Sequence, residues 1–214
     1  MMRFRVWAVL FACVLGAGAA REAAAGPATD QLKGAVDRVV KVLEDPALKV
    51  QVADRRAAVR DIANDIFDFA EIARRSLARH WLSLTDKQRA EFVSLFSDLL
   101  ERSYISKIDH YGGEKIVYTG ERIDSDLASV ATRIITKNGT EVPIDYRLLK
   151  RGDRWLVYDV NIEGVSLVSN YRTQFNKIIQ TASYNELVQK LRVKQEELTS
   201  DEPPKGKKVT PVKK

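Results

Sequence analysis

Apolar positions recur at helical spacing through the first half of the chain and at alternating spacing through much of the second. In "TDQLKGAVDRVVKVLED" the residues Leu32, Val36, Val39, Val40 and Leu43 predict a first helix. Asp45 followed by Pro46 supplies an N-cap and a first-turn proline for a second, running to about Phe67. Asp68 with Glu71 marks a third start, and Thr85 with Gln88 forms a capping box for a fourth. That fourth helix, from Asp86 to His110, carries Phe92, Val93, Leu95, Phe96, Leu99, Leu100, Tyr104 and Ile108. At 100° per residue they spread over about 220°, against about 100° for an ordinary surface helix. Either this helix is central to the core, or one flank faces a sheet and the other a cavity.

The period then changes to two. "KIVYTG" reads as a short strand, and "LASVATRIIT" and "EVPIDYRLL" as longer ones joined at Asn138-Gly139, a hairpin signal of type I′. "KRGDR" turns the chain into "WLVYDVNIE". Strict alternation puts Val142, Ile144, Tyr146 and Leu148 on one face of their strand, with Asp145 and Arg147 opposite. In the next strand Leu156, Tyr158, Val160 and Ile162 share a face, and Trp155, Val157, Asp159, Asn161 and Glu163 the other. Helical spacing returns after Gly164, and Ser183 with Glu186 caps a final polar helix. The fold class expected is α+β. N-terminal helices and a C-terminal helix pack on a curved antiparallel sheet of four to five strands enclosing an apolar cavity.

The ends of the chain read differently from its body. Arg3 and Arg5, an apolar run from Val6 to Leu15 and the small residues after it form a secretory leader over residues 1–25. The single cysteine, Cys13, lies inside it, so thiol chemistry and disulfides are not expected of the mature protein. Residues 201–214 form a lysine-rich tail whose composition predicts disorder. The net charge of +6 comes largely from these ends, leaving about +1 on residues 26–200, which are expected to form one domain. A body so nearly neutral argues against nucleic acid as a partner.

Motifs for catalysis are absent: no G-x-S-x-G, G-x-G-x-x-G, P-loop or H-E-x-x-H occurs, and His80 and His110 each lack a second metal ligand at helical spacing. Asp159 and Glu163 lie four residues apart on one strand, about 13 Å, too far for a shared-proton or glycosidase pair. Surface pairing with Arg147 explains them better. Asp145 and Tyr158 are the residues to test for acid–base chemistry on a cone-shaped scaffold, but alternation puts them on opposite faces. No metal, cofactor or catalytic residue is therefore assigned.

An apolar sheet face opposed by a wide-striped helix suits a carrier of hydrocarbon. At about 0.8 kcal/mol per methylene, two acyl chains in water represent on the order of 25 kcal/mol. The residues expected to face such cargo are Phe96, Leu100, Tyr104 and Ile108 on the long helix, and Val142, Ile144, Tyr146, Leu148, Tyr158, Val160 and Ile162 on the sheet. Val165, Leu167, Val168 and Tyr171 complete the set after the bend at Gly164.

The strings "FAEIARRSLARHWLSLTDKQRAEFVSLFSDLLERSYISKI", "VPIDYRLL" and "VYDVNIEGVSLVSNYRTQF" resemble the MlaC family over about residues 30–198, most specifically in "IEGVSLVSNYR". The resemblance implies a monomeric, non-enzymatic periplasmic protein that binds phospholipid as cargo and maintains outer-membrane lipid asymmetry. Its implied partners are an outer-membrane lipoprotein–porin complex and the MCE-domain subunit ring of an inner-membrane ABC transporter. A hopanoid or other hydrophobic ligand is the alternative cargo, since a related branch of the family shares the architecture.

Overall fold

The computed structural model describes residues 26–108 and 111–200. The leader, the lysine tail, His110 and the side chain of Ile108 lie outside the described residues. Seven helices and one five-stranded antiparallel sheet make up the described part, confirming the α+β class.

The N-terminal helices run α1 (Pro27–Glu44), α2 (Pro46–Lys49) and α3 (Val52–Ile66). Asp45 caps α2 by accepting from Ala47 N at 2.8 Å, as its place before Pro46 predicts. The single helix expected from Pro46 to Phe67 is interrupted at Val50 and Gln51, where the chain turns so that α3 packs back along α1. Asp68 caps α4 (Phe69–Leu77) through Glu71 N at 2.9 Å. A 3-10 segment, Ala78–Ser83, leads to α5 (Asp86–Ile108). There the capping box forms reciprocally, Thr85 N to Gln88 Oε1 at 2.9 Å and Gln88 N to Thr85 Oγ1 at 3.3 Å.

The sheet is a meander in sequence order: β1 (Lys115–Asp124), β2 (Leu127–Ile135), β3 (Glu141–Arg151), β4 (Arg154–Ile162) and β5 (Val165–Ser166). β1 is longer than the short strand expected. Two turns differ from the sequence reading. At Lys137-Asn138 the chain makes a hydrogen-bonded turn, Gly139 N to Thr136 O at 2.9 Å, and only Gly139 takes positive φ. That is the type I turn with a glycine bulge, not type I′. The pair of positive φ values that a type I′ turn requires occurs instead at Glu163 (51°) and Gly164 (85°), which fold β5 back on β4.

A bulge in β4 revises the face assignments. Arg147 pairs with Asp159 and Leu148 with Val157, leaving Tyr158 as the additional residue. Alternation therefore changes phase: Val157 and Trp155 join Val160 and Ile162 on the face of Tyr146 and Leu148, while Tyr158 is turned away from it.

The buried residues fall into two groups. One joins α4, α5, α6 (Leu167–Thr181) and α7 (Tyr184–Ser200) around Phe92, Phe96 and Phe175. The other joins α1 and α3 to the sheet around Leu32, Ile66, Val130, Leu148 and Val157. α5 thus packs on helices rather than on the sheet, and the polar-looking α7 buries Leu187, Val188 and Leu191 against it.

Candidate functional site

Between these two cores lies a cavity of about 530 Å³. Its first wall is α1 and α3. Ala28, Leu32 and Ala35 at the start of α1 are buried, but Val36, Val39, Val40 and Leu43 farther along stay half-buried because they face open space. Val59 and Ala63 of α3 continue this wall. Phe67, Phe69 and Ile72 with Leu100 and Tyr104 form the second, and Leu167 closes the start of α6. The sheet supplies Ile116, Ile134, Ile144, Tyr146, Val160 and Ile162, one face drawn from four strands.

Polar residues in this lining are few. Glu101 is paired with Arg60 at 2.8 Å, joining α5 to α3; burial raises its pKa against the opposing pull of that guanidinium. Burial also pushes the Tyr146 phenol up to about 12 and raises that of Tyr104, so both present neutral rings to the space. Glu114 has its pKa lowered, chiefly by the backbone N–H of Gly112, which it accepts at 2.8 Å.

The walls are held apart by contacts that fix helices to sheet. Thr29 N donates to Glu121 at 2.5 Å and Trp155 N to Gln31 Oε1 at 2.8 Å, tying α1 to both β1 and β4. On the other side Glu71, 4% exposed, accepts from Arg74 and Arg75, and Arg151 of β3 reaches Asp68 at 3.1 Å. The hydrogen bond from Arg74 is the largest cause holding the Glu71 carboxyl at about 2.

Asp159 is the joint between sheet and α6. The pairing with Arg147 expected from the sequence forms, but the carboxylate is 3% exposed, so it is buried rather than on the surface. One oxygen accepts from Val168 N at 3.0 Å; the other accepts from Ser166 Oγ at 2.7 Å and from the Arg147 guanidinium at 3.4 Å. A buried carboxylate is tolerated here because amide, hydroxyl and guanidinium all reach it. Asp145, by contrast, is exposed and pairs in register with Asn161, three residues from Tyr158. At 3.3 Å per residue the two are about 10 Å apart, which brings no acid–base pair together.

Of the residues expected to face cargo, Leu100, Tyr104, Ile144, Tyr146, Val160, Ile162 and Leu167 line the cavity. The others are placed elsewhere. Phe96 and Tyr171 stack edge to face at 4.9 Å inside the helical core, where Val168 is also buried. Leu148 packs in the sheet core beyond the bulge, and Tyr158 sits under the Arg75 guanidinium at 4.0 Å. Val142 lies outside the lining, and Val165 is 62% exposed at the start of β5. N-terminal helices were expected to help enclose the cavity, but no residue of the wall made by α1 and α3 was among those expected to face cargo. Its signal was present in the valines of the first helix, but their spacing does not say which surface they oppose.

Magnitude decides what this space is for. Its open, apolar walls carry the hydrophobic cost of exposed hydrocarbon, about 25 cal/mol per Å², until an apolar occupant covers them. Water would find few polar partners along these walls. At about 30 Å³ per water-sized group, the volume takes about 18 methylenes, a long acyl chain. The site calls for an apolar occupant.

Comparison with known proteins points the same way. The family model described as MlaC protein matches residues 33–193. A phospholipid-binding protein from Ralstonia solanacearum, solved in complex with a phospholipid, is 28% identical to this chain. It superposes with a TM-score of 0.72, covering 80% of this chain and 98% of its own.

Proposed function

The chain belongs to the MlaC family, and from that premise we propose that it is a non-enzymatic carrier that binds one phospholipid as cargo in the periplasm. The observation that carries this reading is the apolar cavity between the two cores, supported by a relative of the same fold that holds a phospholipid. One acyl tail would fill the space between α1, α3 and the sheet and the second would follow its open side, with the phosphate head group left in water. No cofactor is needed, because sheathing hydrocarbon requires shape and apolar lining rather than reactive groups.

The leader read at residues 1–25 supports export, and no helix among the described residues is long and apolar enough to cross a membrane. In the finer reading a monomer moves lipid between an outer-membrane lipoprotein–porin complex and the MCE-domain ring of an inner-membrane ABC transporter, sustaining outer-membrane lipid asymmetry. Family membership supports that role.

A transfer assay tests the proposal. Donor vesicles containing a fluorescent phospholipid are mixed with acceptor vesicles and increasing amounts of the leader-free chain. The transfer rate is expected to rise in proportion to protein, and to fall to the buffer rate with Val160→Glu. Transfer no faster than in buffer, with correctly folded protein, overturns the reading.

A further inference from the structure

The main cavity has a closed end and an open one. Along α1 the buried Ala28, Leu32 and Ala35 give way to the half-buried Val36, Val39, Val40 and Leu43. Thr29 and Gln31, at the start of this helix, bond Glu121 late in β1 and Trp155 early in β4, so α1 runs antiparallel to β1. The sheet closes at the same end: Leu148 and Val157, paired and fully buried, lie behind the lining residues Tyr146 and Val160. At the opposite end Ile116 and Ile134 pair beside Tyr111 and Glu114, with Gly112, Gly113 and Lys115 exposed around them. Ile134 pairs with Val142, four residues before Tyr146, which makes the depth about 13 Å. Val36 and Leu43 span nearly the same depth on α1, two turns and about 10 Å apart.

Phe67 stands at the closed end. Its backbone bridges Val157 in parallel, and the following amide, Asp68 N, donates to Val157 O at 2.9 Å. The Asp68 carboxylate is held in turn by Arg151 at 3.1 Å. The Phe67 ring stacks on Phe69 at 5.8 Å and packs against both buried groups, yet it remains half-buried where the cavity meets it. A ring on a backbone pinned in this way forms a wall that does not retreat from an advancing chain.

We infer that Phe67, with Val36, Tyr146 and Val160 around it, sets the greatest acyl-chain length this protein accepts, the chain entering methyl end first past Ile116 and stopping against the Phe67 ring. The inference rests on the carrier reading and adds to it a selection among phospholipids by chain length. Drawn from a bilayer, a chain longer than the cavity is deep leaves methylenes uncovered at the mouth, each costing about fourfold in uptake.

The test is a competition. Delipidated, leader-free protein is incubated with vesicles of equimolar phosphatidylglycerols that differ only in the length of their saturated chains, then re-isolated, and its bound lipid is quantified by mass spectrometry. Wild-type protein is expected to take up lipids to a limiting length and to discriminate against longer ones. Val36→Phe adds a ring at the closed end and should lower the ratio of long-chain to short-chain lipid by about fourfold or more. Leu43→Phe adds the same ring two turns away at the mouth, and should lower uptake of all lengths alike without moving that ratio. Phe67→Leu deepens the cavity and should raise the ratio; it decides the matter if Val36→Phe does not fold. Lipid bound with one chain-length ratio in wild type, Val36→Phe and Phe67→Leu, or an equal shift from Leu43→Phe, would overturn the length limit and leave the carrier reading standing. Folded wild-type protein that takes up no lipid of any length would overturn both.

Discussion

Replacing Ala63 by tryptophan distinguishes a preformed cavity from a packed interior by the sign of a stability change. Ala63 is half-buried on α3 and faces the cavity. An indole there projects into the available volume and takes up part of the room an acyl chain would need. In lipid-free protein an indole there displaces only water, which the apolar walls bind poorly. Burying a large side chain there should therefore stabilise by about 2 kcal/mol, raising Tm by about 4–8 °C at 2–4 °C per kcal/mol. The same residue forced into a close-packed interior would cost about 1–3 kcal/mol instead. The assay is a thermal melt of delipidated protein, paired with lipid extraction from protein purified out of cells. A higher Tm together with a bound-lipid content reduced by half or more is expected. A lower Tm with unchanged lipid would refute the reasoning.

Three further outcomes follow from particular contacts. Tyr146→Glu should abolish lipid binding, because it puts a charge against the cavity, whereas Val142→Glu should leave binding intact; quantifying extracted lipid from both variants checks this. Asp159→Ala removes the acceptor for Val168 N, Ser166 Oγ and Arg147, and should cost about 3 kcal/mol in urea unfolding, with Asp159→Asn losing about half. Glu71 has its folded pKa lowered from 4.5 to about 2, so its contribution is complete above about pH 4.5 and is lost as pH falls through 2. Glu71→Gln should accordingly lower the stability by about 3 kcal/mol at pH 7, at 1.36 kcal/mol per pKa unit, and make little difference near pH 1.5 by urea titration.

Local signals in the sequence were sufficient for most elements. The caps at Asp45, Asp68, Thr85 and Ser183 all form as their residue types require, because capping depends on atoms within three residues. The α+β class followed from the change of period after α5. What could not be read was set by tertiary contact. Nothing local announces a bulge at Tyr158, yet that one added residue reverses which side of β4 Val157 and Tyr158 occupy. The wide stripe of α5 did need two surfaces, but both are chiefly helical, and among its described side chains Leu100, Glu101 and Tyr104 are those that reach the cavity. Phe96 and Tyr171 look like pocket residues by composition and are instead each other's packing partners. Asp159 shares its strand position with surface ions, and only the fold reveals the amide and hydroxyl that bury it.

The central claim is that oily space inside this protein is occupied by a phospholipid in the cell. Native mass spectrometry of the leader-free chain, exported and purified without detergent, measures that directly. A population heavier than the polypeptide by the mass of one phospholipid, and released as that lipid on collisional activation, is the expected result. A spectrum showing only the bare polypeptide mass, from protein whose fold is intact, would contradict the account.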